Sequence, residues 1–460
     1  MRRTRFCSVY FVALTLGLSA NLFVRADALG EPRDSGDDVG DEECCISVRA
    51  DTPEEGEALG VLRIGSGRPG NYIVPFRAKL LTDLKDKGFE PEVECFRLEE
   101  RVVLEGVWKI VLGSKGNTGA ARPALGMFRR EGSSAILFLD HNLASRATVL
   151  SSSGAIPSPH GEYAAIFEPA EDFKSNPSGR WNFYDRSGQK LWSIGVPILY
   201  EDLPGPGFSI SASGRFAMYE FWPRLKVHFY DKGGQPVGTH ALSEGGGDYG
   251  AVRGSYSDNG RHLAVHLLAH GGGNEVVFYD AQGDRMWRFV PDIRVTGSRC
   301  IATSPDGSYV ILSHWGAQPT EQFTYVLDRT GSVIRRVEGF GATRVKFSSS
   351  GEYAGLFNQG EGVVILRLQS GETVFQYKPP ARSQRDFDFA ADAGLVAFID
   401  VLSVTIVDFR GNRLWRIMDL PRLKGVEGAA PASYKVSLSE NGEELTFTVA
   451  GEFYAYRHIR

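Results

Sequence analysis

A turn motif that returns at a nearly constant interval constrains this chain more than any other feature. Ser-x-x-Gly precedes an apolar stretch six times between residues 158 and 442, and Ala391–Gly394 is a degenerate seventh copy. The final glycines of successive copies are 43 to 53 residues apart. A period of about 40–50 residues predicts a fold assembled from one repeated supersecondary unit. The copies are Ser158–Gly161, Ser211–Gly214, Ser257–Gly260, Ser304–Gly307, Ser348–Gly351, Ala391–Gly394 and Ser439–Gly442.

A second motif, Asp-x-x-Gly, lies between consecutive copies of the first. An aspartate can accept a hydrogen bond from the backbone N–H two residues on, and the glycine can take a positive φ, so the motif predicts a hairpin turn. An aromatic residue follows seven residues after the start of four copies, which predicts packing in the wedge between neighbouring units. The turns are Asp185–Gly188, Asp231–Gly234, Asp280–Gly283, Asp328–Gly331, Asp408–Gly411 and the weaker Leu368–Gly371; the aromatics are Trp192, Trp287, Trp415 and Phe375.

Short segments rich in Val, Ile, Phe and Tyr separate these turns, and Tyr163–Phe167 and Glu275–Tyr279 are examples. Such segments between turn signals predict strands. We therefore predict an all-β fold over residues 105–460, a β-propeller of seven or eight four-stranded blades, preceded by a small α+β elaboration.

Blade number depends on the strand pair Leu125–Phe128 and Ala135–Asp140, which lacks the turn motif. If this pair is a degenerate first blade, the propeller has eight blades, which is the number we favour. If the pair instead closes the ring, the propeller has seven. The last copy ends without an outer strand, and Val107–Leu112 or Arg146–Leu150 is predicted to supply it.

The sequence Ser304-Pro-Asp-Gly307 resembles the repeats of WD-type and TolB-like propellers, and Asp-x-x-Gly-x-x-x-Trp is similar to PQQ-like repeats. The resemblance covers about residues 105–460 and implies architecture more than activity, because propellers serve as scaffolds, receptors and enzymes. Quinoprotein enzymes would bring PQQ and calcium, but their vicinal disulfide and catalytic carboxylate have no match here. Periplasmic PQQ-like propellers without cofactor, which act as assembly scaffolds, are the nearer analogy, and we predict no cofactor.

The N-terminus has the pattern of a secretory signal. Arg2, Arg3 and Arg5 precede an apolar run, and small residues lead to a predicted cleavage after Ala26. Cleavage after Ala28 and an uncleaved membrane anchor are the alternatives. Export to the periplasm or the medium is therefore expected.

Charge is concentrated just after this segment. Residues 27–60 hold twelve Asp or Glu against two Arg, whereas residues 61–460 are close to neutral. The acidic stretch predicts a disordered linker. A near-neutral body argues against nucleic acid as a partner.

Residues 61–104 lie outside the repeat. Apolar spacing in Arg77–Lys87 predicts a helix, and Pro91–Phe96 alternates like a strand. Gly65–Gly70 matches G-x-G-x-x-G, but the extended Asn71–Pro75 follows it, so we interpret it as a turn rather than a dinucleotide site.

Four cysteines remain after the predicted cleavage. Cys44 and Cys45 are adjacent and cannot bond each other without strain, so a bridge from one of them to Cys95 is the expected disulfide in an oxidising compartment. Cys300, in an apolar-flanked strand, is interpreted as a small buried hydrophobe. No Cys-x-x-Cys pair or metal-ligand spacing occurs.

Histidines are the other candidates for chemistry. His262, His266 and His270 are spaced by four, which on a helix would favour a metal site. Their place in the repeat predicts a strand instead, along which the three spread over one face, and we predict no metal. No catalytic motif is present, so an enzyme is the less favoured class.

Propeller ligands commonly bind where the connections between second and third strands meet near the axis. Exposed Trp and Arg are typical anchors for partners. We hypothesise a noncatalytic scaffold that recognises an envelope or secreted protein, with a small ligand or glycan also open; the alternative is a quinoprotein dehydrogenase or polysaccharide-processing enzyme. The candidate binding residues in these connections are Trp222, Arg224, His270, Asn274, His314, Trp315, Glu321, Asn358 and Asp400.

Overall fold

The fold is known from a computed structural model, and it is almost entirely β-sheet. The residues that it describes are 45–50, 52–61, 70–75, 83–87, 89, 92–104, 107–115, 119–130, 133–140, 142–151, 155–169, 178–197, 207–220, 225–242, 249–269, 274–292, 297–315, 321–378, 384–400, 403–411, 413–417, 434–449 and 451–459.

Eight antiparallel sheets form eight propeller blades, which confirms the favoured blade number. Within a blade, each strand pairs with the next strand along the chain, as expected for a meander of short strands joined by tight turns. Blade 1 comprises β4 (Val107–Leu112), β5 (Pro123–Arg130), β6 (Ser133–Leu139) and β7 (Ser145–Ser151); blade 2 comprises β8 (Ala155–Pro157), β9 (Tyr163–Pro169), β10 (Ser178–Asp185) and β11 (Lys190–Pro197); blade 3 comprises β12 (Gly207–Ile210), β13 (Phe216–Glu220), β14 (Lys226–Tyr230) and β15 (Pro236–Ala241); blade 4 comprises β16 (Tyr249–Tyr256), β17 (Leu263–Ala269), β18 (Asn274–Tyr279) and β19 (Arg285–Phe289).

The remaining blades follow the same order, except that the last one combines both ends of the chain. Blade 5 comprises β20 (Gly297–Thr303), β21 (Tyr309–Trp315), β22 (Gln322–Asp328) and β23 (Val333–Glu338); blade 6 comprises β24 (Arg344–Phe347), β25 (Tyr353–Asn358), β26 (Gly362–Arg367) and β27 (Glu372–Tyr377); blade 7 comprises β28 (Asp386–Ala390), β29 (Leu395–Ile399), β30 (Val404–Asp408) and β31 (Arg413–Ile417); blade 8 comprises β32 (Lys435–Leu438), β33 (Glu444–Val449), β34 (Glu452–Ile459) and β3 (Glu92–Val103).

Ring closure differs from the sequence expectation. The outer strand of blade 8 is β3, which pairs with β34 from Cys95–Ile459 to Val103–Glu452. Val107–Leu112 is the first strand of blade 1, and the other expected closing segment lies in its fourth strand; both expectations were wrong. Charged and apolar residues alternate in β3 over Glu92–Cys95 and again over Phe96–Glu99, a pattern typical of antiparallel strands.

Two further strands extend blade 8 beyond β3. They are β1 (Cys45–Ala50) and β2 (Gly70–Pro75), and helix α1 (Pro53–Val61) lies between them in the chain. Thus β1 and α1 occupy part of the stretch whose acidity predicts a linker, while β2 agrees with the extended segment predicted after Gly70. A single helical turn spans 83–86, inside the predicted helix, whose first half lies outside the described residues. No described helix is both long enough and apolar enough to span a membrane.

The hydrophobic core is divided into clusters, and each of the eight blade-to-blade interfaces has one among the described residues. Contacts between first strands of neighbouring blades place these strands around the axis, whereas fourth strands such as β15 and β19 are largely exposed. Each blade therefore packs on the next through apolar side chains of its strands, and this arrangement is repeated around the ring.

The repeated motifs are the local reason for this regularity. In the Ser-x-x-Gly turn, Ser158 Oγ accepts from Tyr163 N at 3.0 Å, and Gly161 has φ of 69°. In the Asp-x-x-Gly turn, Asp185 Oδ1 accepts from Ser187 N at 2.9 Å and from Gln189 N at 3.1 Å. Both turns fix their geometry with bonds inside five or six residues, which is why the sequence alone predicts them.

The recurring tryptophan fills the wedge between blades, as predicted. Trp192 stacks on Phe183, with ring centroids 3.9 Å apart, and lies against Gly234 of the next blade. A Cβ at Gly234 would lie 2.4 Å from the indole. Trp287 repeats the arrangement two blades later, in blade 4, where it stacks on Phe278 with ring centroids 4.8 Å apart. The glycine of the hairpin turn thus has two roles. It adopts the positive φ that its own turn requires, and it leaves room for the aromatic ring of the neighbouring blade.

Candidate functional site

The two faces of the propeller are built differently. In each blade the first-to-second and third-to-fourth connections lie at one end of the strands, which we call the turn face. The second-to-third and blade-to-blade connections lie at the other end, which we call the variable face. The repeated motifs occupy the turn face, whereas connections on the variable face range from residues 450–451 to residues 418–434 and share no motif.

All nine sequence-predicted residues belong to connections on the variable face or to the strand ends that flank them. Trp222, Arg224 and His270 lie outside the described residues, as does the side chain of Trp315, which ends β21. Glu321 and Asp400 are partly exposed, and Asp400 accepts hydrogen bonds from Ser403 N at 2.7 Å and Ser403 Oγ at 2.9 Å.

The other three predicted residues have buried side chains. Asn358 donates through Nδ2 to Gly341 O at 2.7 Å, so it supports the loop between blades 5 and 6. Asn274 and His314 are 6 % and 0 % exposed, in the interface between blades 4 and 5. Their role as binding residues stays a prediction.

Asn274 and His314 form a buried polar group with His266. The rings of His266 and His314 are 5.2 Å apart between centroids, in an edge-to-face arrangement. Neither ring nitrogen of His314 has a hydrogen-bond partner among the described residues. Burial lowers the pKa of His266 to about 4 and that of His314 to about 3, so both are neutral at pH 7.

As predicted, the first two histidines of the spaced triplet are in β17 or beside it. His266 lies within this strand, and His262 precedes it. The ring of His262 stacks parallel to Phe278, 5.4 Å away, at the turn-face end of the same interface. The described residues contain no group of three or more His, Cys, Asp or Glu arranged to hold a metal ion.

Around the axis, blades 6 to 8 are joined by buried ion pairs. Asp386 is fully buried, and Arg344 Nη1 donates to its Oδ1 at 2.6 Å while Lys346 Nζ lies 3.6 Å from Oδ2. Burial alone would raise the pKa of the Asp386 carboxyl, but Lys346, Lys435 and Arg344 together lower it to about 2. The carboxylate is therefore charged at every physiological pH, and it holds three blades together.

A second set of ion pairs continues this network towards the turn face. Lys115, from the first connection of blade 1, lies 3.5 Å from Asp388 and 3.3 Å from Glu440. Glu440 Oε1 also accepts from Ser349 N at 2.7 Å, which ties a turn of blade 6 to one of blade 8. Charged residues on this side of the axis thus face residues of opposite charge.

On the other side of the axis, a cleft of about 310 Å³ lies among the first strands of blades 3, 4 and 5. Two arginines line it, Arg253 and Arg299. Arg253 and Arg344 lie four residues before the serine of the next Ser-x-x-Gly turn, whereas Arg299, at a bulge in β20, lies five residues before it. Each donates through Nη1 to the following blade, to Arg299 O at 3.0 Å, to Gly341 O at 2.7 Å and to Asp386. The sequence carries this signal as an arginine in the first strands of three consecutive blades, outside the turn motifs from which the fold was predicted.

Comparison with known proteins does not assign the chain to a family. No protein-family model matches the chain, and no curated protein matches it. Among solved structures it is similar to BamB from Moraxella catarrhalis, with 13 % identity, a TM-score of 0.45, and coverage of 79 % of this chain and 99 % of that one. It is also similar to a eukaryotic initiation factor, with 12 % identity, a TM-score of 0.41, and coverage of 82 % and 96 %. These likenesses carry no functional argument, and the kinship with WD-type or PQQ-like repeats stays a resemblance.

Proposed function

We propose that the protein is an exported, noncatalytic β-propeller that recognises an envelope or secreted protein and serves as an assembly scaffold. The observation that carries this proposal is the contrast between the two faces. The turn face repeats one hydrogen-bonded design in blade after blade, while the variable face presents connections of different length and sequence on the same rigid frame. Binding residues are concentrated on such connections when a scaffold positions them.

Residue chemistry supports the variable face as the recognition surface. Its connections contain Trp222, Arg224 and Trp315, of the residue types that dominate binding energy in protein interfaces. Glu321 and Asp400 add partly exposed carboxylates. A partner held by these groups would contact several blades at once, which suits an assembly scaffold.

Site-specific photocrosslinking tests this proposal. A benzoylphenylalanine residue replaces Gln359, exposed on the variable face, or Lys232, exposed on the turn face, and the protein is expressed in its own cells. We expect one partner to crosslink at residue 359 and not at residue 232. Crosslinking at residue 232 alone, or no crosslinked protein from either position, would contradict the proposal.

Substitution supplies the second measurement. The double variant Trp222→Ala, Trp315→Ala is expected to lose the partner in affinity capture from envelope extract, whereas Lys232→Ala with Arg410→Ala, both at exposed turn-face positions, retains it. Sequencing of the mature N-terminus tests export separately, because cleavage at the predicted site makes Asp27 the first residue.

A further inference from the structure

Two cysteines belong to neighbouring strands at the point where the ring closes. Cys95 is part of the closing strand β3, Cys45 begins β1, and Cys44 lies just outside the described residues. Cys300 belongs to blade 5, where it is a free cysteine whose Sγ donates to Ala342 O at 3.4 Å. The choice of a disulfide partner for Cys95 is therefore between Cys44 and Cys45.

The register between β1 and β3 separates Cys45 from Cys95. These strands pair in the antiparallel direction, with Cys45 opposite Glu94 and Ser47 opposite Glu92, and no bulge interrupts the pairs. Directly opposite residues share a face of a sheet, whereas successive residues of one strand alternate between its faces. Cys45 and Cys95 therefore occupy positions on opposite faces. A bond between them would have to cross the plane of the sheet.

The same register selects residue 44 as the partner of Cys95. Each step back along β1 is a step forward along β3, so the pair that follows Cys45 with Glu94 is 44 with 95. Directly opposite Cα atoms in an antiparallel sheet are about 4.5 or 5.5 Å apart, depending on the type of pair. Both separations lie within the range of about 4.4–6.8 Å that disulfides require.

The end of this ladder is also where a covalent bond would have the largest structural effect. The extension of blade 8, which comprises β1, α1 and β2, joins the closing strand through three residue pairs between β1 and β3. By contrast, β1 pairs with β2 over six residues, and β3 pairs with β34 from Cys95 to Val103. The link between the extension and the ring is thus the shortest ladder in this sheet.

We propose that Cys44 and Cys95 form a cross-strand disulfide that fixes β1 to the ring-closing strand. Both thiols give up their protons as the two sulfur atoms join, and the two electrons reduce an external disulfide, such as glutathione disulfide, to two thiols. Cys45 keeps its thiol. The inference rests on the export part of the proposed function, because the cytosol keeps cysteines reduced.

Peptide mapping of the purified full chain tests the bond. The folded protein is equilibrated with excess glutathione disulfide, its free thiols are alkylated, and it is digested with trypsin without reduction. We expect peptide 34–49 linked to peptide 88–97, with fragment ions that place the link at residue 44. Because the buffer supplies the oxidant, this result does not depend on where the cell places the protein. A failure of export alone therefore leaves the linked peptides in place.

Cys44→Ser and Cys45→Ser are a matched pair of variants that differ by one position in the chain. We expect Cys45→Ser to keep the linked peptides at the level of the unmodified protein, and Cys44→Ser to lower their yield at least about tenfold, because residue 45 belongs to the other face of the sheet. The proposal is overturned if the fragment ions place the link at residue 45, if Cys44→Ser keeps it, or if the unmodified chain forms no link. Mapping of the unmodified chain decides the question even if a variant does not fold.

Hydrogen exchange measures what the bond holds. Reduction of the unmodified protein is expected to speed amide exchange in β1 at least about tenfold, because only a short ladder then retains the strand. Exchange in β17, in blade 4 on the other side of the ring, should not change. Equal rates in β1 before and after reduction would mean that backbone pairing alone holds the strand, and would overturn the fixing role.

Discussion

Acidification is expected to destabilise the interface between blades 4 and 5 through His266 and His314. Both rings are neutral and buried, with pKa values lowered by burial to about 4 and about 3. In the unfolded chain each imidazole has a pKa of about 6.5. Above pH 6.5 neither state is protonated, so these residues do not affect stability there. As the pH falls below 6.5, only the unfolded state takes up protons, and stability decreases until the folded-state pKa is reached.

The magnitude at pH 5 follows from the unfolded pKa. A difference of one pH unit is worth about 1.4 kcal/mol per group, so 1.5 units cost about 2 kcal/mol for each histidine and about 4 kcal/mol for the pair. Because both folded pKa values lie below 5, the result is nearly independent of how far below they lie. The positive charge of Arg253 contributes to the low folded pKa of His266, after burial, because it disfavours a proton on the ring.

His314→Leu isolates half of this effect. The substitution nearly preserves volume beside Leu312 and Tyr325, and it removes two ring nitrogens that have no hydrogen-bond partner among the described residues. We therefore expect unchanged or slightly higher stability at pH 7. Between pH 7 and pH 5, the variant should lose about 2 kcal/mol less than the unmodified protein.

Urea unfolding followed by tryptophan fluorescence at both pH values measures the difference. Val310→Ala, in the same interface, is the control: it creates a cavity and should lower the free energy of unfolding equally at pH 7 and pH 5. If His314→Leu and Val310→Ala show the same pH dependence as the unmodified protein, His314 is not a buried neutral group in solution and the reasoning is refuted.

Three further predictions concern other parts of the ring. Gly254→Ala should cost about 1–3 kcal/mol in urea unfolding, because its Cβ would meet the Tyr219 hydroxyl at 1.7 Å, whereas Gly195→Ala meets nothing within 4 Å and should not destabilise through a clash. Asp386→Asn should cost about 3–5 kcal/mol by the same assay, because two basic groups lose their buried partner; a neutral result would mean that the ion pairs are solvated. Removal of residues 27–104 deletes β3 and should produce self-association, measured by light scattering, because the edge of β34 is then exposed; a stable monomer would contradict its closing role.

The sequence predicts those parts of the fold that depend on short-range bonds. The serine of Ser-x-x-Gly bonds a backbone N–H five residues on, and the aspartate of Asp-x-x-Gly bonds those two and four residues on. Such turns form wherever their few residues occur, so their spacing gave the blade period. Trp192 was predictable for the same reason, because its place in each repeat is fixed relative to its turn.

Long-range pairing was not predictable in this way. The closing strand Glu92–Val103 contains Glu94, Arg97, Glu99 and Arg101, which resemble a solvated segment until a partner strand covers its other face. Likewise, nothing local shows that Asp386 will meet Arg344, 42 residues earlier. Candidate residues such as His314 were placed correctly near a connection, but burial depends on the neighbouring blade.

The pairing of Cys95 with Ile459 joins residues that are 364 positions apart, so blade 8 can be completed only after β34 has been synthesised. At about 5–20 residues per second of synthesis, β3 waits on the order of 20–70 s for its partner strand. During that time blades 1 to 7 can stack as an open arc, with an apolar surface at each end that the completed ring covers. A chain truncated before β34 keeps both apolar surfaces exposed. Such a fragment is therefore expected to aggregate rather than to fold as a propeller with fewer blades.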